Sequence, residues 1–562
     1  MSLDVRKLAE RHAALKTVRN PYEATWEELA RLFLPLRYKD EGDLRSERPE
    51  IADPRQTDSV GVRDMTVLAA GMQGGMTSPV RPWFKLTLED STDAPEAGTW
   101  LDDVTERMRT LLHRSNFYNV AHALYGDLGT FGQALLLETA DWTGLRFTLA
   151  PCGTYVLDVN EYNEVDTFFR TVIMTARQIV AAFGDSAPDY VRRTAEAAGE
   201  RTRFPVVQAV FPRTDRVFGK LDSRNMPYAS VWYLDVGQSG KLAVLRESGY
   251  QTFPAFAPRW DVTGTDVYGR SPAMNILPDC RMLQAMGATT LKGTHKAVDP
   301  PWAVPANLKS VGVNIIPGAV NYLSVESMQA GGIQPLQQVN PQTLAVAENK
   351  IQAVQQAVHD GLYTDLFKQL MLDDRRQITA TEIEAREREK LTLLGPVVER
   401  LDREFLSPLI LRTYQLMADY DFLPEPPEAI AGSGLRVEFV SVIAQAQKLV
   451  STSPIDQTLA FAAQLAQAAP EALDNLDTDA VLRLYADNLG APASILRSAE
   501  DVAALRQQRA QAQAQAAQQT QAQAGVQQAV DMTEAAKNLG QTPVGADGLN
   551  AMDALIGGLG GM

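Results

Sequence analysis

A chain of 562 residues with 45% hydrophobic and 22% charged content is globular in composition and long enough for several cores, so two or more domains are expected. Its 53 lysines and arginines against 69 acidic residues leave a formal charge of −16, which excludes a protein that grips phosphate over its whole surface. Cys152 and Cys280 sit in no CxxC or Cys/His cluster and read as buried thiols of a reducing compartment, with no metal site and no cofactor implied. No eighteen uncharged apolar residues run together, and the opening residues lack the apolar core of a signal peptide, so no membrane association is expected.

Taken in chain order, residues 3–16 and 22–33 carry apolar residues at helical spacing, with Asn20-Pro21 expected to separate two short helices. A third helix is predicted over 59–72. The run Gly74, Gly75, Pro79, Pro82 is then expected as loop, and Trp83 and Phe84 begin an extended segment. Residues 100–112 and 118–128 read as helices. Residues 133–138, 146–149, 155–159, 206–211, 229–236 and 242–247 are short, β-rich and bounded by turns. Residues 1–270 therefore form an α+β domain.

Beyond Pro272 the texture becomes helical, and 273–298 can be read as one helix of about 40 Å. It stops at Asp299-Pro300-Pro301. Residues 302–339, dotted with proline and glycine, read as a small α/β module inserted between two helices. The second helix starts with Asn340 as cap and Pro341 in the first turn, and its stripe is Leu344, Ile351, Val354, Val358 and Leu362. Residues 368–378, from Lys368 through Asp373, Asp374, Arg375 and Arg376, lack a stripe and are expected as loop. A capping box of Thr379 and Glu382, with Ile378 and Ile383 as a hydrophobic staple, ends that loop. The following helix carries Leu394, Val398, Leu401, Phe405 and Leu409 on one side, with a kink expected at Gly395-Pro396. Residues 435–440 look like a strand.

The remainder is Ala-rich and helical to about residue 530. Residues 506–524 are nearly pure alanine and glutamine: good helix formers without an aliphatic stripe. They fit either a solvated low-complexity tail or a helix stabilised by copies of itself around an axis. From Leu539 onward small residues prevail, and disorder is expected.

Motifs that carry chemistry are few. No GxxxxGK[ST] cradles a phosphate, so the chain is not a packaging motor, and neither HExxH nor GxSxG occurs. Acid pairs such as Asp102/Asp103 and Asp373/Asp374 read as solvated surface, and Trp83, Phe84, Phe117 and Tyr118 read as core rather than base-stacking platforms. Arg375 and Arg376, on a polar loop between two bounded helices, fit either a phosphate contact or a solvated turn.

Four segments resemble the portal, or head-to-tail connector, proteins of short-tailed bacteriophages. These are DMTVLAAGMQGGMTSPVRPWFKL from Asp64, SNFYNVAHALYGDLGTFGQALLLE from Ser115, FFRTVIMTARQIVAAFG from Phe168 and TATEI from Thr379. With the helix from Ser271 and the Gln/Ala-rich end, the resemblance covers most of the first 530 residues. It implies a helix-rich α+β subunit of a twelvefold ring, not an enzyme, standing at one capsid vertex of the virion after assembly in the host cytoplasm. Double-stranded DNA would pass through the ring. Its partners would be terminase, capsid and scaffolding proteins and tail adaptor proteins, with no membrane.

On that resemblance 1–270 is a wing, 271–298 and 341–367 are paired stem helices, and 299–340 is a clip. Residues 368–378 are a tunnel loop whose Lys368, Arg375 and Arg376 would contact DNA in the channel. The kinked helix and returning strand of 379–445 complete the wing, 446–530 is a crown, and 531–562 a disordered tail. The acidic balance suits a wall along which DNA slides, since each neutralised phosphate adds affinity and hence friction. A non-portal head-tail adaptor or scaffold, or an enzyme with an unrecognised site, are the alternatives.

Overall fold

The computed structural model describes residues 4–35, 37–39, 56–88, 95–197, 202–235 apart from 218 and 221, 242–304, 340–372, 394–427, 434–440 and 499–541. It also describes short pieces within 305–339 and 458–482. Residues before 491 form one compact unit and those after 490 another.

Helix α1 (Val5–Phe33) runs unbroken through Pro21, so the two helices expected around Asn20-Pro21 are one. A mid-helix proline costs ~3 kcal/mol. Here one face buries Leu8, His12, Leu15, Arg19, Trp26, Leu29 and Phe33 on both sides of the proline, and that burial outweighs it. Helix α2 (Val60–Met76) extends past the expected end and takes Gly74 and Gly75 into its last turn, because Met72, Gly75 and Met76 are buried there. Strand β1 (Phe84–Leu88) follows. Helix α3 (Pro95–Arg114) buries Leu101, Val104, Met108 and Leu112 at helical spacing. Helix α4 (Phe117–Phe131) is buried nearly all round and ends at Gly132, whose φ of +81° and contact with the Gly269 carbonyl exclude a side chain.

Strands β2 (Leu135–Asp141) and β3 (Gly144–Ala150) make a hairpin, joined through β2 to the later β9 (Ala255–Phe256). A five-stranded antiparallel sheet comprises β4 (Tyr155–Val159), β5 (Val165–Thr175), β6 (Arg203–Pro212), β7 (Tyr228–Asp235) and β8 (Leu242–Tyr250), in that order. Alternation assigns its two faces. Val156, Phe169, Val207, Ala209, Val231 and Tyr233 pack on the first turns of α1, whereas Val206, Leu234 and Leu245 pack under α5 (Ala176–Phe183) and α6 (Asp189–Glu196). A complete capping box of Thr175 and Gln178 starts α5.

Helix α7 (Pro272–Val298) begins where Ser271 accepts from the Met274 amide at 3.0 Å with Pro272 in the first turn. Between it and α9 lie a two-residue ladder, β10 (Trp302–Ala303) with β11 (Gln334–Pro335), and the short α8 (Val325–Gln329). Helix α9 (Pro341–Gly361) has the expected Asn340 cap, 2.9 Å from the Gln342 amide. It ends earlier than expected. Leu362 and Tyr363 break it, and a separate helix α10 (Thr364–Leu372) follows. Lys368 is therefore helical and exposed instead of opening a loop, because Leu366 and Phe367 are buried on that helix's other side.

Arg375, Arg376, Ile378, Thr379, Glu382 and Ile383, with the capping box and staple, lie outside the described residues. The next helix is described from residue 394, so the kink expected at Gly395-Pro396 falls at its first described turn. The helix is π-wound over Asp402–Leu406 and regular over α11 (Ser407–Asp419). Strand β12 (Leu435–Phe439) returns to pair antiparallel with β1, Phe84 opposite Phe439. In the second unit α12 (Ala499–Gln541) is one continuous helix, past the expected end near residue 530, since nothing between Gly525 and Gln541 breaks it.

Candidate functional site

The feature with functional form is the hairpin of α7 and α9. Ile276 of α7 lies against Gly361 of α9, and farther out Gly293 lies against Leu344, which fixes an antiparallel pairing. A Cβ on Gly361 would overlap Ile276, so the small residue permits the close approach. Burial divides each helix in two. Ala273, Ile276, Leu277, Cys280 and Leu283 of α7, with Val354 and Val358 of α9, belong to the main core. The outer halves project by about 20 Å and expose apolar side chains, Leu291 at 51%, Val298 at 81% and Val346 at 67%. The expected stripe on α9 is thus core only at Val354, Val358 and Leu362, while Leu344 and Ile351 are half-buried.

Polar contacts bolt the inner halves to the body. The Thr57 amide donates to Gln284 Oε1 at 2.8 Å, and Gln355 Nε2 donates to Asp58 Oδ2 at 2.9 Å. Arg281 pairs with Glu28 across the surface, and Ser271 Oγ donates to the Thr130 carbonyl at 2.7 Å. His359 Nδ1 stands 2.5 Å from Asp64 Oδ2. Burial raises the Asp64 carboxyl above its usual range, and the imidazole opposes that rise. Burial likewise pushes the Cys280 thiol up to about 12, so it is an inert core thiol. Cys152 is also buried.

The joint below the hairpin is tight. Phe367 of α10 seats on Gly71 of α2, where any Cβ would overlap the ring. Tyr363, with φ of 55°, is in the left-handed region and stacks on Trp260 at 6.4 Å. That backbone costs a non-glycine residue about 1–2 kcal/mol.

Of the residues singled out in sequence, Lys368 lies in this region, its charge felt at Asp64. Trp83, Phe84 and Phe117 are buried and Tyr118 packs against them, as core aromatics. Asp103 pairs with Arg107 on the surface, as a solvated acid would. The outer halves carry Lys292, Lys296 and Lys350 alongside Asp299 and Glu348, all exposed, so these stretches are not acidic. Two ion pairs of buried arginines have no sequence signal. Arg259 binds Glu404 at 2.7 Å, and Arg412 lies 3.8 Å from Glu138, tying the helix through α11 to the β2 sheet across more than a hundred residues of sequence. Among the described residues no group of histidine, cysteine and acidic side chains could hold a metal ion, and no helix is long and apolar enough to cross a membrane.

An α+β body that carries a projecting helical hairpin is the architecture these residues define. The family described as bacteriophage head to tail connecting protein matches residues 5–496, and the chain belongs to that family. It is 38% identical over 518 residues to the portal protein of Salmonella phage epsilon15, covering 90% of this chain and 92% of that one. It is 35% identical over 510 residues to the probable portal protein of Bordetella phage BPP-1, covering 90% and 91%. Among solved structures, a chain from the virion of a native gene transfer agent particle aligns with 67% of this chain and 91% of its own, at 12% identity and a TM-score of 0.29. That likeness is too slight to bear on the fold.

Proposed function

We propose that this chain is a portal subunit: copies close into a ring, twelvefold by resemblance, at one capsid vertex, where DNA enters and leaves and where terminase and then tail proteins attach. The observation that carries this reading is membership of the head-to-tail connecting family together with near full-length identity to portal proteins. The hairpin supports it physically. Its outer halves expose apolar residues that a solitary subunit leaves in water, and a closed head-to-tail ring would cover them. In this reading α7 and α9 are the stem, 299–340 the clip, and the body with 379–445 the wing. Residues 446–530 are the crown, and the tunnel loop follows α10. The adaptor or scaffold reading lacks an observation that favours it. The same holds for an enzyme, as the family is structural.

Within the channel, Arg375 and Arg376 from each subunit form a basic collar that touches phosphates, with strength falling as salt rises; Lys368, on α10, stands at its approach. The channel wall is expected to be otherwise poor in fixed cations, with Lys292, Lys296 and Lys350 turned from it.

Complementation of a phage lacking this chain tests both levels. Without the protein, heads should form but take in no DNA, and filled heads would overturn the portal reading. With Arg375→Ala/Arg376→Ala, rings should assemble while the DNA retained per head falls. Normal retention would remove the collar's role, and loss of rings would make those arginines interface residues.

A further inference from the structure

The face of the five-stranded sheet that packs under α5 and α6 carries one row of a different kind. Arg170 of β5, Gln208 of β6, Trp232 of β7 and Arg246 of β8 stand opposite one another in register. On one side of that row Val206 and Leu234 pack under the two helices, and on the other Phe168 and Val210 enter the main core. Alternation puts all of them on one face, so a polar row separates two apolar ones. Gln208 is buried, Arg170 and Trp232 are half-buried and Arg246 is exposed, so solvent reaches the row.

The two arginines are held but not neutralised. Arg170 Nε donates to Gln208 Oε1 at 2.7 Å, and its guanidinium carbon lies 5.5 Å from the centre of the Trp232 ring. The guanidinium of Arg246 lies 5.8 Å from the same ring and 5.3 Å from that of Phe183, at the end of α5. Such seats on aromatic faces fix a cation without cancelling its charge. Among the described residues no carboxylate pairs with Arg170 or Arg246, whereas Arg192, Arg213, Arg259 and Arg412 each have one. Burial pushes Arg170 down to about 10, opposed by Tyr250. Arg412 lies over the Tyr250 ring and spends its Nη donors on Thr252 and the Glu138 carbonyl, so it adds positive field without an open fork; its own acids are Glu138 and Asp419. With its Nε taken by Gln208, Arg170 turns out an Nη edge that has no hydrogen bond among the described residues. A planar fork of fixed direction matches the paired oxygens of an oxyanion. Two guanidiniums on one indole repel each other, and a phosphate offsets more of that charge than a carboxylate does.

We infer that Arg170 and Arg246, seated on Trp232, form a phosphate-binding site. The Nη edge of Arg170 receives two phosphate oxygens, and the exposed Arg246 closes on a third. Gln208 is a positioning residue: it touches no ligand and sets the direction of the Arg170 fork. A free phosphate ester and the backbone phosphate of a nucleic acid share this chemistry. The inference rests on the described fold and stands apart from the portal reading: failure of ring assembly leaves it intact.

Titration calorimetry of the full-length protein at low salt tests it, with inorganic phosphate and a short DNA duplex as ligands and acetate as the control anion. Phosphate should bind at one site per chain and in preference to acetate. Arg246→Gln, a change at an exposed position, should weaken binding about tenfold, and Arg170→Gln should abolish it. Gln208→Met, which alters no charge, should weaken it several-fold, whereas Arg192→Gln, at a surface pair with Asp189, should leave it unchanged. Duplex binding that falls in the same variants would assign the site to a nucleic-acid backbone. Binding of inorganic phosphate without the duplex would assign it to a free phosphate ester. If Arg170→Gln does not fold, Arg246→Gln and the unaltered protein still decide. The inference is overturned if the unaltered protein binds neither ligand at millimolar phosphate, if Arg246→Gln and Arg192→Gln bind alike, or if acetate binds as well as phosphate.

Discussion

Arg259→Met is expected to lower stability by about 3 kcal/mol, because it leaves the partly buried Glu404 without its counter-charge. Arg259 is among the largest fully buried side chains of the molecule. It donates from its backbone amide, Nε and Nη2 to the two oxygens of Glu404, and Nη2 also reaches the Asn163 carbonyl at 2.6 Å. Glu404 sits within the π-wound segment. The double variant Arg259→Met/Glu404→Leu should recover most of the loss, since an apolar pair of similar volume carries no desolvation penalty. Chemical denaturation at fixed oligomeric state gives both values. A single-variant loss below about 1 kcal/mol would show the pair to be solvated.

The second large effect is a pH dependence from Glu138. This carboxyl is fully buried on β2, accepts from Thr413 Oγ1 at 2.8 Å, and is pushed up to about 7 by burial, with Arg412 and the Thr413 hydroxyl opposing the rise. Its folded pKa lies above its unfolded one, so the native state holds the extra proton. The associated stability is fully present below about pH 4.5 and is lost as the pH rises through about 7, by about 3 kcal/mol at most. Asp127, raised to about 7 by burial against the opposing Arg37, adds a slope of the same sign. Glu138→Gln keeps an acceptor for Thr413 and cannot titrate. Denaturation free energies at pH 5 and pH 8 should therefore differ less in the variant than in the unaltered protein. Equal differences in the two proteins would place the Glu138 pKa near its ordinary value.

Much of the secondary structure was legible because its signals are local. Ser271-Pro272 and Asn340-Pro341 mark two helix starts that the structure keeps, and β-rich composition between turns marks β2, β3, β4, β6, β7 and β8. The misreadings share a cause: burial that joins residues remote in sequence. Pro21 and the Gly74–Gly75 pair read as breaks, yet both lie in helices whose apolar faces continue into the core. Strand β5, in the segment from Phe168 that resembles the family, carries no plain strand signal in the sequence. Its adjacent Phe168 and Phe169 are both buried, on opposite faces of the sheet, which hides the alternation. Lys368 read as loop because the helix around it is defined by the seat of Phe367 on Gly71, nearly three hundred residues earlier.

The candidate site was legible in the same uneven way. The two long helices and the module between them stand in the sequence, but the division of each helix into a bolted inner half and an exposed outer half depends on Gln284, Gln355 and His359 meeting residues 57–64. Arg259 and Glu404 lie 145 residues apart, and neither has a neighbour that hints at the other.

Native mass spectrometry of the purified full-length chain, with electron micrographs of the same sample, tests the central claim most directly. Closed rings of a single size, with a twelvefold mass, are the result that the portal reading predicts. A stable monomer at micromolar concentration, with no higher species, would contradict it.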